Sequence, residues 1–377
     1  MLLNLHSYYS LRYGTLSLQQ LISGMLENGY DTAVLTDINN STASLDFIRE
    51  CRAAGLNGLA GMEYRNGDRQ LYVGIAQNER GFKELNDFMT RVNRKDIPLP
   101  SRAPEFKEAF VIYPYGHYGG ELRDNEYLGV QPADVNRFRM DSTVCRERCV
   151  VLQPVSFHPE DFKLHTQLRA IDHNLLISQL QADQTGAKEE VFLPRTVLMK
   201  HYRDCPQLIA NTNRLLGQCS FDFVFKKSKN KKTFTGNRYD DKQLLQKYAM
   251  DGFTRRYDPK DKAAGERVTR ELEIIDNLDF SSYFLITDDI CRYARSRDFH
   301  YVGRGSGANS VVAYCLGITD VCPIQLDLYF ERFLNPKRQS PPDFDVDFSW
   351  NERDEMYDYI FHRYQSGHTA LMGAMST

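Results

Sequence analysis

A chain of 377 residues with 42% hydrophobic and 26% charged content is long enough for two domains, one large α/β domain being the alternative. Its net charge of −3 excludes a polycation, so any nucleic-acid contact has to come from local patches. The start, Met1-Leu2-Leu3-Asn4-Leu5-His6, lacks the pattern of a signal peptide, and no run of ~18 apolar residues offers a membrane span.

The eight cysteines are scattered. None forms a Cys-x-x-Cys, and Cys145 and Cys149 have no second pair at zinc-finger distance. Buried free thiols in a reducing, cytoplasmic setting are the expectation.

The first ~80 residues read as repeating strand–helix units. Leu3 and Leu5 sit in a short strand, and Leu18, Leu21, Ile22 and Met25 recur at helical spacing before Gly29. Ala33-Val34-Leu35-Thr36-Asp37 is a buried strand ending in an acid. Leu45, Ile48 and Cys51 mark the next helix, and Leu59-Ala60-Gly61-Met62-Glu63 is another strand ending in an acid. Leu71 to Ala76 follows, then a helix from about Glu79 to Val92, a Pro-rich loop near Lys95 to Lys107, and strands near Phe110, Tyr127 and Cys149. This alternation predicts a parallel sheet or barrel, with its chemistry at the strand C-termini. His117, His158 and His165 lie in polar stretches and are expected at the surface.

A boundary is expected near residue 220. Phe221 to Phe225 alternates and runs into Lys226-Lys227-Ser228-Lys229-Asn230-Lys231-Lys232, either a track for a phosphate backbone or a solvated linker. Beyond Tyr239 come three helical stripes, through Leu245, through Leu272 and through Phe284. Then His300-Tyr301-Val302-Gly303-Arg304-Gly305-Ser306-Gly307-Ala308 reads as a strand, a glycine-rich turn and a helix start. Glycine lets a backbone approach a ligand, and a helix start offers N–H groups to phosphate. No Gly-Lys-Ser/Thr follows, so it is not a Walker loop. A dinucleotide fingerprint and a nucleotidyltransferase phosphate loop both stay open.

In Pro342-Asp343-Phe344-Asp345-Val346-Asp347-Phe348 three aspartates alternate with apolar residues. On an extended segment all three share one face, ~6 to 7 Å apart. That suits a hard cation such as Mg²⁺, or a solvated acidic edge strand.

Two resemblances add to this. Leu3-Asn4-Leu5-His6-Ser7-Tyr8-Tyr9-Ser10, Thr36-Asp37 and Gly61-Met62-Glu63 resemble successive motifs of the polymerase-and-histidinol-phosphatase (PHP) domain, a distorted seven-stranded (β/α) barrel whose intact members hold a metal cluster. Asn4, Ile38, Leu71 and Asn174 stand where that family has histidines. His6, Asp37, Glu63 and Asp172 remain as a vestigial set, and the resemblance implies a barrel without its metals. A PHP-type phosphoesterase or 3′-5′ exonuclease is the alternative, and a non-catalytic scaffold module is a second.

The blocks Tyr283-Phe284-Leu285-Ile286, Gly303-Arg304-Gly305-Ser306-Gly307-Ala308, Phe330-Glu331-Arg332-Phe333-Leu334-Asn335-Pro336 and Pro342 to Phe348 stand in the order of the palm of C-family bacterial replicative DNA polymerases, the DNA polymerase III α subunits. The resemblance implies a PHP-like domain over 1–220 and, over 221–377, part of a polymerase-β-like nucleotidyltransferase palm, cut before thumb and fingers. Asp345 and Asp347 would be the catalytic and metal ligands for two Mg²⁺ ions, with Asp343 structural. Gly305, Ser306, Arg304, Arg332 and Arg338 would hold nucleotide phosphates, Arg332 as a buried arginine between Phe330 and Phe333. The family's third carboxylate lies on a later strand, so this piece is expected to bind Mg²⁺ weakly and not to extend primers. Implied partners are primer-template DNA, dNTP, a sliding clamp and a proofreading subunit.

Overall fold

The computed structural model describes residues 1–372 except 96, 118, 226–230, 336, 338–342 and 366. The chain divides into two compact units, Met1–Val224 and Phe225–Thr377.

The first unit runs β1 (Leu2–Leu5), α1 (Leu18–Glu27), β2 (Thr32–Leu35), α2 (Ser44–Ala53), β3 (Asn57–Asn66), β4 (Arg69–Ala76), α3 (Glu79–Lys95), β5 (Ala109–Pro114), β6 (Glu126–Val130), α4 (Val135–Met140), β7 (Cys149–Val151), β8 (Pro154–Val155), α5 (Phe162–His173), α6 (Arg195–His201) and α7 (Pro206–Leu216). The strands form one sheet in the order β7-β6-β5-β4-β3-β2-β1-β8. Laid flat, eight strands at ~4.8 Å spacing would hold the outer two ~34 Å apart. Only Leu152 and Gln153 join β7 to β8, and three Cα steps reach at most ~11 Å. The sheet is therefore curled almost onto itself, as a PHP-type barrel requires.

Seven strands run one way and β4 is reversed, antiparallel to both β3 and β5. The parallel repeat expected from the sequence breaks here because the two-residue turn Gly67-Asp68, with Gly67 at φ +57, closes a hairpin between the paired Asn66 and Arg69. Both faces of the sheet are covered, so β2 and β5 read as continuous apolar runs rather than alternating ones. Ser17 starts α1 with a capping box, its hydroxyl accepting from Gln20 N–H while Gln20 Oε1 accepts from Ser17 N–H. Phe221 and Phe223 stack at 5.6 Å, and each meets Phe82 edge-on at 6.4 Å. Seven cysteines are buried as expected, but Cys145 is exposed; all eight are free.

The second unit contains α8 (Arg238–Arg256), α9 (Lys262–Asn277), α10 (Ser281–Ser296), β9 (Tyr301–Arg304), α11 (Val311–Leu316), β10 (Asp345–Phe348) and α12 (Arg353–Tyr364). Its core gathers Leu245, Ile275, Phe284, Val312 and Phe333. Phe344 joins it through ring contacts with Phe284 at 5.0 Å, Phe333 at 4.9 Å and Tyr283 at 5.5 Å. Three collinear sequence blocks thus meet around one ring. Among the described residues no helix is long and apolar enough to cross a membrane.

Candidate functional site

β9 and β10 pair antiparallel, with Asp345 opposite Arg304, Val346 opposite Gly303, Asp347 opposite Val302 and Phe348 opposite Tyr301. The period of two sends Phe344, Val346 and Tyr301 to the core and leaves Asp345, Asp347 and Arg304 on the outer face. Arg304 Nε donates to Asp347 Oδ2 at 2.7 Å, and Nη1 donates to Asp345 Oδ2 at 3.3 Å. One guanidinium therefore bridges both carboxylates. Asp343 precedes the strand and is exposed. At Gly303 a Cβ would stand 2.0 Å from the Ile318 carbonyl oxygen, so this strand position takes no side chain.

The chain then turns sharply. Gly305 has φ +73, and Gly305–Asn309 form a 3-10 turn. A Cβ at Gly305 would lie 2.7 Å from Asp345 Oδ2, and one at Gly307 would lie 2.7 Å from Phe344 Cδ1. The glycines are thus the points where the turn presses against the aspartate strand. Ser306 is half-buried, and its hydroxyl has no hydrogen-bond partner among the described residues.

The helix start expected to receive phosphate is already occupied. The buried carboxylate of Glu271 on α9 accepts from Ser310 Oγ at 2.8 Å and from Val312 N–H at 3.1 Å. Ser310 itself caps α11 by accepting from Ala313 N–H. Arg267 pairs with Glu271 at 3.1 Å and donates to the Asn309 carbonyl at 2.9 Å. An anion can reach the 305–309 turn but not the N-terminus of α11. Glu271 and Arg267 were missed by sequence reasoning, because nothing local links α9 to a turn some forty residues on.

Arg332 is not the buried arginine expected. Phe330–Arg332 form a 3-10 turn, in which residues three apart eclipse each other. Phe330 and Phe333 therefore share the buried side, and Arg332 is exposed, its side chain without an ion pair or hydrogen bond among the described residues. Its sequence neighbour Glu331 pairs with Arg270 instead. The Phe330–Arg332 turn packs against the 305–309 turn. Arg338 lies outside the described residues, as do five residues of the lysine run, 226–230.

In the first unit three of the vestigial PHP residues, His6, Asp37 and Glu63, are buried and internally satisfied, while Asp172 is exposed. His6 leaves the end of β1, Asp37 follows β2 and Glu63 lies on β3. Glu63 Oε2 accepts from Asn4 Nδ2 at 2.8 Å, Gln70 Nε2 at 2.6 Å and His6 Nε2 at 3.1 Å, while Oε1 accepts from Arg65. Burial alone would raise this acid. The Arg65 and His6 charges more than offset that and hold Glu63 down at about 2. Arg65 lies over the Tyr13 ring at 4.3 Å, and Tyr13 donates to Glu190 at 3.0 Å. Ser156 gives its single proton to Glu190 at 2.6 Å, so His6 Nδ1 donates to Ser156 Oγ at 2.8 Å. Arg65 and the doubly donating His6 face Glu63 and Glu190.

The four vestigial candidates do not form one cluster. His6 and Glu63 are bonded. Asp37 is caged by Ser7 N–H, Ser7 Oγ and Ser10 Oγ, each at 2.7 Å, and burial still pushes its carboxyl upward. Asp172, on the last turn of α5, is held instead by Arg12 at 3.0 Å and Arg169 at 2.7 Å. His165 is buried rather than at the surface. Its Nε2 accepts from Gly186 N–H, so Nδ1 carries the proton given to the Tyr13 carbonyl. Among the described residues no group of three or more His, Cys, Asp or Glu side chains stands where it could hold a metal ion.

Residues 3–119 match the PHP domain, and residues 243–377 match the bacterial DNA polymerase III alpha NTPase domain. The DNA polymerase III subunit alpha of Halalkalibacterium halodurans is 29% identical, the match covering 100% of this chain and 37% of that protein. That of Streptococcus pyogenes is 30% identical over 100% of this chain and 36% of its own length. An error-prone DNA polymerase of Mesorhizobium japonicum is 32% identical over 68% of this chain and 24% of its own. The chain spans little more than a third of the length of the DNA polymerase III relatives it matches. With both domain matches in this order and relatives aligned along the whole chain, the protein belongs to the bacterial DNA polymerase III α-subunit family.

Proposed function

We propose that the second unit supplies part of the site at which a C-family DNA polymerase adds dNTPs to a primer 3′ end on template DNA. The observation that carries this reading is the β9–β10 register, which sets Asp345, Asp347 and Arg304 on one face beside Gly305. The two carboxylates form the hard, all-oxygen donor set that Mg²⁺ takes, and a cationic group already bridges them. Divalent ions bound there would activate the primer hydroxyl and stabilise the leaving pyrophosphate. Asp345 and Asp347 are the residues to hold them. Gly305 and Ser306 offer backbone N–H groups and a free hydroxyl to the triphosphate, Arg304 and Arg332 offer charge, and Arg338 belongs to the same set by family position.

With two carboxylates and no third acid beside them among the described residues, the chain alone should bind Mg²⁺ weakly and leave primers unextended. The barrel serves as a scaffold rather than a phosphoesterase, because Arg65 and His6 neutralise its acids from within. Clamp and proofreading subunits would be partners of the longer polymerase, by family membership.

The test is Mn²⁺ binding, followed by electron paramagnetic resonance of the free ion. Wild type should bind, and Asp345→Asn with Asp347→Asn should not. Undiminished binding by the double variant would sink the assignment. Grafted into a full-length relative, either substitution should abolish primer extension without changing the melting temperature.

A further inference from the structure

We infer that Arg304 works in two positions: without a divalent ion it neutralises Asp345 and Asp347, and when an ion takes those carboxylates it turns to the triphosphate of the incoming nucleotide. This rests on the polymerase reading above and adds a coupling between the two ligands.

The first position follows from the backbone. Arg304 and Asp345 are directly opposed on antiparallel strands, and Asp347 lies one diagonal away on the same face. Neighbours in that relation lie within reach of a long side chain such as arginine. Both carboxylates lend Asp345 or Asp347 Oδ2 to the same guanidinium. A divalent ion that used these oxygens would sit against a fixed positive charge, and like charges on one carboxylate pair repel. Ion and guanidinium therefore compete.

The second position follows from what else Arg304 touches. Its side chain is exposed, and its hydrogen bonds are to these two aspartates. Once they are taken, nothing described anchors it. The next residue is Gly305, which opens the 305–309 turn with φ +73. On that turn the Ser306 hydroxyl is unpartnered, and Arg332 stands on the adjoining turn, also unpartnered. A released Arg304 would be a third free donor at this edge, and a triphosphate is the anion these donors suit. Because one residue serves both ligands in turn, ion binding should favour nucleotide binding and the reverse, by the same factor.

The experiment compares wild type, Arg304→Gln, Arg304→Lys and the Asp345→Asn/Asp347→Asn pair in the full chain. Mn²⁺ affinity is read by electron paramagnetic resonance without nucleotide. Affinity for dATP is read at saturating Mn²⁺ by calorimetry. Loss of Arg304 should tighten Mn²⁺, on the order of three-fold for exposed charges, and weaken dATP. Arg304→Lys, which keeps the charge, should stay near wild type for Mn²⁺. Opposite signs support the two-position role. An Arg304→Gln chain that binds both ligands more weakly, or whose Mn²⁺ affinity is unchanged, overturns it. If wild type binds Mn²⁺ no better than the double-asparagine chain, the metal assignment itself fails, and that result is separate from any behaviour of Arg304→Gln.

Discussion

Glu271 and Ser310 lie 39 positions apart, yet the buried Glu271 carboxylate accepts the Ser310 hydroxyl at 2.8 Å and so fixes where α11 begins. The same carboxylate takes Val312 N–H and pairs with Arg267, which holds the Asn309 carbonyl. One acid thus anchors the far end of the 305–309 turn at three points.

Glu271→Ala should cost about 3 kcal/mol, because it strands Arg267 and opens a buried helix start. Glu271→Gln keeps an acceptor and should cost less. Urea unfolding of the second unit checks the order. Equal stability of Ala and Gln variants would mean the hydrogen bonds to Ser310 and Val312 contribute nothing.

In the barrel, Arg65→Ala should cost about 3–5 kcal/mol, since it leaves the carboxylate of Glu63 buried beside the loss of its nearest charge. The pH dependence has a definite sign. Glu63 is held at about 2 against an ordinary 4.5, so its contribution is present above pH 4.5 and is lost as pH falls through about 2. Wild type should therefore lose its advantage over Glu63→Gln across that window in urea melts. Chelators should leave the barrel's melting temperature unchanged, because Arg65 and His6 already balance Glu63 and Glu190.

Much of this was readable from residue order, and the failures have physical causes. The aspartate strand and the glycine-rich turn were each legible, because alternation at Asp345, Val346 and Asp347 and the glycines at 303, 305 and 307 are local signals, whereas the pairing of the two strands was not local. Arg65 could have been found: it lies two residues beyond Glu63 on one strand, and residues so spaced share a face. The Gly67-Asp68 turn that reverses β4 was equally available. Glu190 was not, because it sits in an irregular segment and reaches Ser156 and Tyr13 only through the curled fold of the first unit. Arg332 was misjudged because Phe-Glu-Arg-Phe looks enclosed until the 3-10 turn sets both rings on one side.

Gly305→Ala should separate the two motifs. It asks alanine to adopt φ +73, a backbone cost of about 1–2 kcal/mol, and it sets a methyl 2.7 Å from Asp345 Oδ2. The Asp345 carboxylate must shift to make room. Mn²⁺ binding should weaken, though less than in Asp345→Asn, which removes the charge, while unfolding shifts only modestly. Retained Mn²⁺ affinity would show that the aspartate pair does not depend on this close approach.

Arg332 and Phe333 are adjacent, and their truncations should have opposite consequences. Arg332 is exposed and unpartnered among the described residues, so Arg332→Ala should change stability by no more than ~0.5 kcal/mol. On the proposed reading it should still weaken dATP binding at saturating Mn²⁺, because it removes an unpaired cation beside the 305–309 turn. Phe333 is completely buried against Phe284 and Phe344, and Phe333→Ala should cost about 3–5 kcal/mol. Its loss would also loosen Phe344, the inward anchor one residue before Asp345. A chain in which Arg332→Ala destabilised the fold and left dATP binding intact would reverse the assignment, making the arginine structural and removing it from the nucleotide site.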